Sequence, residues 1–218
     1  MHRTQTEHRT LIGRRWEFKI EYGPKGEVQR YKARLVAKEY TQSYAIDYLE
    51  TFSPVVKFHT LRLLLVLAVS KGSEIHQMDN KSAFLGQDLS GDEQSIYMEL
   101  PPGISWEPQE EVVLQVHKTM YGLKQSSLVL NKTLHGFFTL HGLQRGEADH
   151  CVYFNASRTV FLMVYVDDLV LISDFENVQS MKMKLNICFE MSDHGPLFYC
   201  LGIAVTRDEN GLHLSQER

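Results

Sequence analysis

The sequence predicts a mixed α+β fold, and three patterns lead to that prediction. Alternating polar and apolar residues indicate a two-stranded hairpin near the amino terminus, in residues 14–38. Apolar residues recur at helical spacing in three segments, residues 60–70, 127–140 and 177–189. Two apolar runs, Val160–Val164 and Leu169–Ile172, indicate buried strands on either side of a short turn.

The amino-terminal hairpin lies in the most basic part of the chain. Residues 1–38 contain ten Lys and Arg but only four Asp and Glu, whereas the whole chain has a formal charge of −4. Lys32 and Arg34 alternate with apolar residues, so they share one face of the second strand. A cationic face can attract phosphate groups. For residues 1–13 a solvated tail is the simpler interpretation, and residues 14–218 are taken as the folded domain.

Local signals predict the remaining elements in order. Thr60 is a candidate N-cap for the first helix, which Gly72 would end. Gly142 would end the second helix in the same way. Short strands are predicted at residues 97–98, 112–116, 152–154, 197–205 and 212–214.

The turn between the two buried strands carries adjacent carboxylates. Asp167 and Asp168 follow Tyr165-Val166, and Asp is a residue that turns accept readily. The simplest interpretation is an exposed acidic turn that joins two core strands. Two neighbouring like charges are costly to bury unless they are neutralised, and a divalent cation with oxygen ligands does this well.

A third carboxylate makes the cation interpretation stronger. The segment Ile75–Asp79 is predicted to be a short strand that ends in an aspartate. Metal-dependent phosphoryl and nucleotidyl transfer uses carboxylates from separate strands to hold two ions about 3.5–4 Å apart. Asp79, Asp167 and Asp168 would supply such a set.

Composition argues against several other classes of protein. The 218 residues are 43% hydrophobic, which suits a globular core. The three cysteines form no CxxC pair, which favours buried thiols in a reducing compartment over a disulfide framework. No His and Cys spacing suggests zinc. The longest apolar run, Leu63–Val69, is too short to span a bilayer, so we expect no membrane partner.

Eleven short motifs occur along residues 14–218 in a fixed order. They are Arg30–Lys38, Tyr48–Lys57, Ile75–Asp79, Ala83–Leu85, Ile96–Met98, Pro101–Gly103, Met120–Gln125, Tyr165–Asp168, Phe189–Met191, Tyr199–Ile203 and Leu214–Gln216. Together they resemble the reverse transcriptase (RNA-dependent DNA polymerase) of copia-type LTR retrotransposons. A lone Tyr-Val-Asp-Asp would be a weak signal, whereas eleven collinear matches are specific. The resemblance implies a fragment of a Pol polyprotein.

The resemblance also implies an architecture and a metal site. It implies polymerase fingers and palm in residues 14–218, with a ferredoxin-like palm sheet, an Asp-Asp hairpin and a largely missing thumb. Asp79 and Asp167 would bind two Mg²⁺ ions, with Mn²⁺ as an alternative. Asp168 would support them, and the backbone carbonyl of Asn80 would assist.

Five residues are implied to contact substrate. Lys32 or Arg34 would meet the incoming triphosphate, and the choice between them stays open. Phe84 would exclude a ribose 2′-hydroxyl, although a core aromatic is the alternative. Tyr165 would contact the primer end or serve as a core tyrosine, and Gln125 would lie near the dNTP and the template base. The implied partners are an RNA or DNA template with its primer and dNTPs, with the oligomeric state left open.

Several positions depart from the family pattern. Ser126–Leu130 replaces an expected Ala-Pro-Arg and a following tryptophan, and Glu39 stands where a glycine is usual. Asn80 replaces a small apolar residue. Two hypotheses therefore remain: an RNA-directed DNA polymerase, and a catalytically inactive retroelement remnant with at most nucleic-acid binding. If expressed, the protein is expected in cytoplasmic retroelement particles.

Overall fold

The computed structural model describes residues 11–22, 26–81, 85, 87–89, 95–104, 112–209 and 211–216. Within that part of the chain it contains three α-helices and fourteen strands, which confirms the predicted α+β class. The helices are α1 (Phe58–Ser70), α2 (Ser126–Leu140) and α3 (Phe175–Cys188). The strands are β1 (Leu11–Ile12), β2 (Arg14–Tyr22), β3 (Val28–Ala37), β4 (Glu74–Asn80), β5 (Ile96–Glu99), β6 (Val113–Val116), β7 (Leu143–Arg145), β8 (Val152–Asn155), β9 (Phe161–Tyr165), β10 (Asp168–Ser173), β11 (Met191–Pro196), β12 (Tyr199–Cys200), β13 (Ile203–Asp208) and β14 (Gly211–Ser215).

The chain forms two compact units. The first unit comprises Met1–Ser53 and Phe84–Thr133, and the second comprises Pro54–Ala83 and Leu134–Arg218. Each unit has its own buried apolar cluster.

The first unit contains the predicted hairpin and a small three-stranded sheet. Strands β2 and β3 pair from Arg14 opposite Ala37 to Tyr22 opposite Val28. The small sheet has the order β1-β5-β6, with β1 parallel to β5. Its strand β1 includes Ile12, which is fully buried although the sequence predicts a tail through residue 13. The fold therefore begins before residue 14, because Ile12 supplies an apolar side chain to the core.

The second unit is built on a six-stranded antiparallel sheet with the order β11-β4-β10-β9-β8-β7. Because alternate residues of a strand point to opposite faces, β4 and β10 each have two sets of side chains. Ile75, Val170 and Ile172 pack with Leu61 and Leu65 of α1 in one buried cluster. Helix α3 lies against the other face, where its Lys182 contacts a β4 side chain.

Two helix starts differ from the sequence predictions. Helix α1 begins at Phe58 after the N-cap residue Lys57, so Thr60 is inside the helix and is not its cap. Asp149 from a distant loop fastens this helix start, since it accepts hydrogen bonds from the Lys57 amide (3.1 Å) and the Thr60 hydroxyl (2.7 Å). Helix α3 begins earlier than Asn177 because Asp174 caps it by accepting a hydrogen bond from the Asn177 amide (2.8 Å).

Candidate active site

Strands β4 and β10 bring two of the predicted aspartates directly opposite each other. Asp79 is the next-to-last residue of β4, Asp168 is the first residue of β10, and the two are partners in the antiparallel register. Directly opposed residues project from the same face of a sheet with their Cβ atoms about 4.5–5.5 Å apart. Both carboxylates are half-buried. The two acids, far apart in sequence, are therefore neighbours in space.

Asp167 is held next to this pair through the backbone. It lies in the two-residue turn between β9 and β10, where Tyr165 is opposite Asp168. The carbonyl of Asp167 accepts a hydrogen bond from the amide of Asn80 (2.9 Å). This bond ties the turn to the end of β4, so all three predicted acids lie at one end of the central strands β4 and β10.

The same turn contains an unusual backbone conformation. Val166 has φ = +53°, which is a rare value for a β-branched residue. A positive φ at the first position of a two-residue hairpin matches the twist of the flanking strands. The turn therefore follows the geometry of the hairpin although its residue type opposes it, and such strain is concentrated at functional sites.

Gln77 is a further member of the site that the sequence analysis did not single out. Its side-chain amide donates a hydrogen bond to Oδ1 of Asp168 (2.9 Å), and Gln77 itself is buried. Gln77 and Asp79 are two residues apart on β4, so they share a face. In the sequence, the two-residue spacing of Gln77 and Asp79 on a predicted strand was the signal that could have identified Gln77. The hydrogen bond fixes one carboxylate and offsets part of its negative charge.

The charge of Asp168 also affects the core beneath it. Burial, together with the neighbouring Asp168 carboxylate, raises the pKa of the Cys200 thiol to about 12. The thiol therefore stays protonated and unreactive at physiological pH. Cys200 is one of the buried free thiols that the sequence predicts.

The donor chemistry of the site suits a hard divalent cation. Asp79, Asp167 and Asp168 offer carboxylate oxygens, the ligand type that Mg²⁺ and Mn²⁺ prefer. Within the described ranges, no group of three or more His, Cys, Asp or Glu side chains is arranged so that it could hold a metal ion by itself. Mg²⁺ is usually held by one or two carboxylates together with substrate phosphates, so an incomplete protein cage is compatible with it.

The predicted triphosphate contacts belong to the first unit, and both cations have partners there. Lys32 forms an ion pair with Glu21, and the hydrogen bond from Lys32 lowers the pKa of that carboxyl group although burial opposes the shift. Arg34 lies opposite Glu17, and its guanidinium is 5.2 Å from the centre of the Tyr121 ring. The structure thus holds both cations on one face of the hairpin, as the alternation predicts.

The other predicted substrate contacts have different surroundings. Gln125 is only 2% exposed, since its amide donates to the Asp47 carbonyl and accepts from Gln42, each at 3.0 Å. Its side chain therefore anchors the segment that precedes α1. Tyr165 is half-buried and packs against the apolar cluster of the second unit. Phe84 lies outside the described residues.

The fold and the site define a class of protein in which carboxylates are gathered at one end of two central strands of an antiparallel sheet. A family model described as reverse transcriptase (RNA-dependent DNA polymerase) matches residues 4–218. The chain belongs to this family, and the predicted resemblance to copia-type elements is confirmed.

Curated relatives support the same assignment. The chain is 37% identical over 214 residues to the Pol polyprotein from transposon RE1 of Arabidopsis thaliana, covering 97% of this chain and 14% of that protein. It is 36% identical over 210 residues to the Pol polyprotein from transposon TNT 1-94 of Nicotiana tabacum, covering 94% and 16% respectively. The putative transposon Ty5-1 protein of Saccharomyces cerevisiae is 30% identical over 137 residues, which are 62% of this chain and 44% of that protein. The chain thus spans about one seventh of the Arabidopsis polyprotein.

The sequence predicts that no apolar segment is long enough to span a bilayer. In the described part of the chain, no helix is both long enough and apolar enough to cross a bilayer.

Proposed function

We propose that this chain is the fingers and palm portion of an RNA-directed DNA polymerase, which transfers a nucleotide from a dNTP to the 3′-hydroxyl of a primer. The observation that carries the proposal is the register of β4 and β10, which pairs Asp79 with Asp168. Membership of the reverse transcriptase family supplies the reaction class. In this proposal the first unit acts as fingers and the six-stranded sheet as palm.

In the proposed mechanism the chain supplies ligands and their orientation. Asp79, Asp167 and Asp168 hold two Mg²⁺ ions, or Mn²⁺, with help from the backbone carbonyl of Asn80. When bound, such ions activate the attacking hydroxyl and stabilise the pyrophosphate leaving group. Gln77 keeps the Asp168 carboxylate oriented through its hydrogen bond (2.9 Å). The bond from the Asn80 amide to the Asp167 carbonyl (2.9 Å) holds the turn at the end of β4.

The proposed substrate contacts differ in how their side chains are placed. Lys32 and Arg34 attract the triphosphate, and Tyr165 borders the primer end. Phe84 excludes the 2′-hydroxyl. Gln125 acts indirectly, because its buried amide holds the segment around Asp47. Template, primer and dNTPs are the proposed partners.

Primer extension on purified protein tests the proposal. A labelled DNA primer annealed to an RNA template should be extended by all four dNTPs only when Mg²⁺ or Mn²⁺ is present. Replacing Asp167 and Asp168 together by alanine should lower the rate by at least about 100-fold, because the ions lose their ligands. Glu209→Gln, at an exposed turn, is the matched control and should keep wild-type activity. Full extension by the double variant would refute the proposed site.

An inactive remnant is the second candidate function. The observation that favours it is the segment Ser126–Leu130, where the family's proline, arginine and tryptophan are absent. In the structure Ser126 starts α2, and its hydroxyl donates to the Met120 carbonyl (2.8 Å). An inactive remnant would bind primer–template in a salt-sensitive way but would not incorporate nucleotides against the template. The primer-extension assay therefore separates the two candidates.

A further inference from the structure

A chain of polar side chains lies on the α3 face of the sheet, and two of its members, Lys182 and His76, are buried. Lys182 of α3 is only 4% exposed. Its ammonium group donates hydrogen bonds to both carboxylate oxygens of Asp193 on β11, at 2.7 and 2.8 Å. It also donates to Nδ1 of His76 on β4, at 2.7 Å. The other ring nitrogen of His76 lies 3.6 Å from a carboxylate oxygen of Glu74.

This polar chain and the candidate active site lie on opposite faces of β4. His76 is an odd number of residues from Asp79, so their side chains project in opposite directions. Three residues of strand span about 10 Å. Lys182 therefore does not contact the candidate site, and any influence on Asp79 must pass through the backbone of the strand.

Charge and hydrogen bonding assign the protonation states of the polar chain. Because an ammonium group has no acceptor, Nδ1 of His76 is the acceptor and the ring is neutral. Burial and the charge of Lys182 lower the pKa of His76. Although burial opposes it, the hydrogen bonds from Lys182 and the Gly195 amide hold the pKa of Asp193 below its usual value. The ammonium thus connects an ionised carboxylate to a neutral imidazole.

Asp193 lies at the point where the register of β11 is irregular. It is opposite Met78, and its neighbour Ser192 is opposite Asp79, but the register shifts between Asp193 and Gly195. The carboxylate also accepts a hydrogen bond from the Gly195 amide (2.8 Å). A one-residue slip would reverse the face of every β11 side chain. Lys182 joins Asp193, at the irregular point of β11, to His76 of the strand that carries Asp79.

We propose that Lys182 is a positioning residue, whose contacts with Asp193 and His76 fix the register of β11 against β4 and so hold in place the end of β4 that carries the Asp79 carboxylate. A buried ammonium costs free energy that an apolar residue would not. Specification of a single register offsets that cost. The inference rests on the proposed function of the three aspartates, and it adds a residue that does not touch substrate or ions.

The test compares Lys182→Met with Lys184→Met, a matched change two residues further along the same helix. The first readout is hydrogen–deuterium exchange of residues 74–80, which requires neither ions nor activity. The second is the dissociation constant for Mn²⁺, with Asp79→Asn defining the loss of the site. Asp193→Asn is the second test variant and keeps the experiment decisive if Lys182→Met does not fold, since that carboxylate is 46% exposed.

Lys182→Met and Asp193→Asn should each speed exchange in residues 74–80 and raise the Mn²⁺ dissociation constant by about tenfold. Lys184→Met should behave as wild type. The double variant of Lys182 and Asp193 should be no worse than either single variant, because the two side chains act as one unit.

Two contrary outcomes have different meanings. If exchange rises equally in every element while Mn²⁺ affinity stays at the wild-type value, Lys182 is only a stabilising residue and the inference is overturned. If the wild type binds Mn²⁺ no more tightly than Asp79→Asn, the proposed function of the aspartates fails and the inference fails with it.

Discussion

Val166 shows at the residue scale how the turn beside the paired aspartates conflicts with local conformational preference. Its φ of +53° places a β-branched side chain in a region that mainly glycine and asparagine adopt. The flanking pairing of Tyr165 with Asp168 requires a two-residue turn, so the strands impose the conformation. The strain is located beside the carboxylates, and its release is measurable.

We expect Val166→Gly to change the free energy of unfolding by less than about 1 kcal/mol. Relief of the left-handed conformation is worth about 1–2 kcal/mol, and the greater freedom of glycine in the unfolded chain offsets about half of it. The control is Val164→Gly in β9, where the side chain is buried and the loss should be about 3 kcal/mol. Urea denaturation measures both values. A loss above about 2 kcal/mol for Val166→Gly would mean that the turn is not strained.

Gly122 allows its own backbone to lie close to the backbone of Ala37 at the end of β3. A Cβ atom on Gly122 would lie 2.1 Å from the carbonyl oxygen of Ala37, and Gly122 has φ = +81°. The amide of Ala37 donates to the Tyr121 carbonyl (2.8 Å) at the same point. The backbones of Gly122 and Ala37 therefore pass too close together for any side chain at this position.

At the element scale, glycine-to-alanine changes should have opposite signs at two positions. Gly122→Ala should destabilise the protein by about 3 kcal/mol or more, because the end of β3 must move away. Gly136→Ala, inside α2, should stabilise it by about 0.5–1 kcal/mol, since nothing lies within 4 Å of the added Cβ. Chemical denaturation of the two variants checks this. Equal effects would contradict the proposed close approach.

Helix α2 shows how departures from a family pattern are accommodated. Ser126, which stands in the altered segment, is 2% exposed and begins a regular helix of 15 residues. The altered residues are therefore compatible with a regular helix. This supports testing activity directly, because the local fold does not distinguish an active polymerase from a remnant.

At the scale of the whole molecule, the buried polar chain makes stability depend on pH. The pKa of His76 is lowered by burial and by Lys182, so the folded state favours the neutral ring. Stability is therefore present above the ordinary histidine pKa of about 6.5 and is lost as the pH falls below it. The pKa values of Asp193 and Asp149 are also lowered, so the folded state loses further stability as the pH falls below about 4.

We expect the urea midpoint of the wild type to fall between pH 7.5 and pH 5.5. His76→Gln keeps an acceptor for Lys182 but cannot gain a proton, so its midpoint should fall less over the same interval. His59→Gln, at an exposed histidine, is the control and should resemble the wild type. An identical pH dependence in His76→Gln and the wild type would show that protonation of His76 does not contribute to the loss of stability.

Local patterns in the sequence determined much of this protein. Helical periodicity located α1, α2 and α3 to within a few residues, and apolar runs located β9 and β10. The order of short motifs identified the family, which the family model confirms. These features follow from contacts between near neighbours in the chain, so local rules describe them. The strand β11 and its irregular register gave no such signal.

Only the tertiary structure decided how the site is assembled. Three contacts join residues that are far apart in sequence. They are the pairing of Asp79 with Asp168, the hydrogen bond from Gln77 to Asp168, and the hydrogen bond from Lys182 to His76. The burial of Gln125 is of the same kind, since its partner Gln42 is 83 positions away. Strand register depends on the packing of whole faces, and a one-residue shift would change every partner, so no local pattern can specify it.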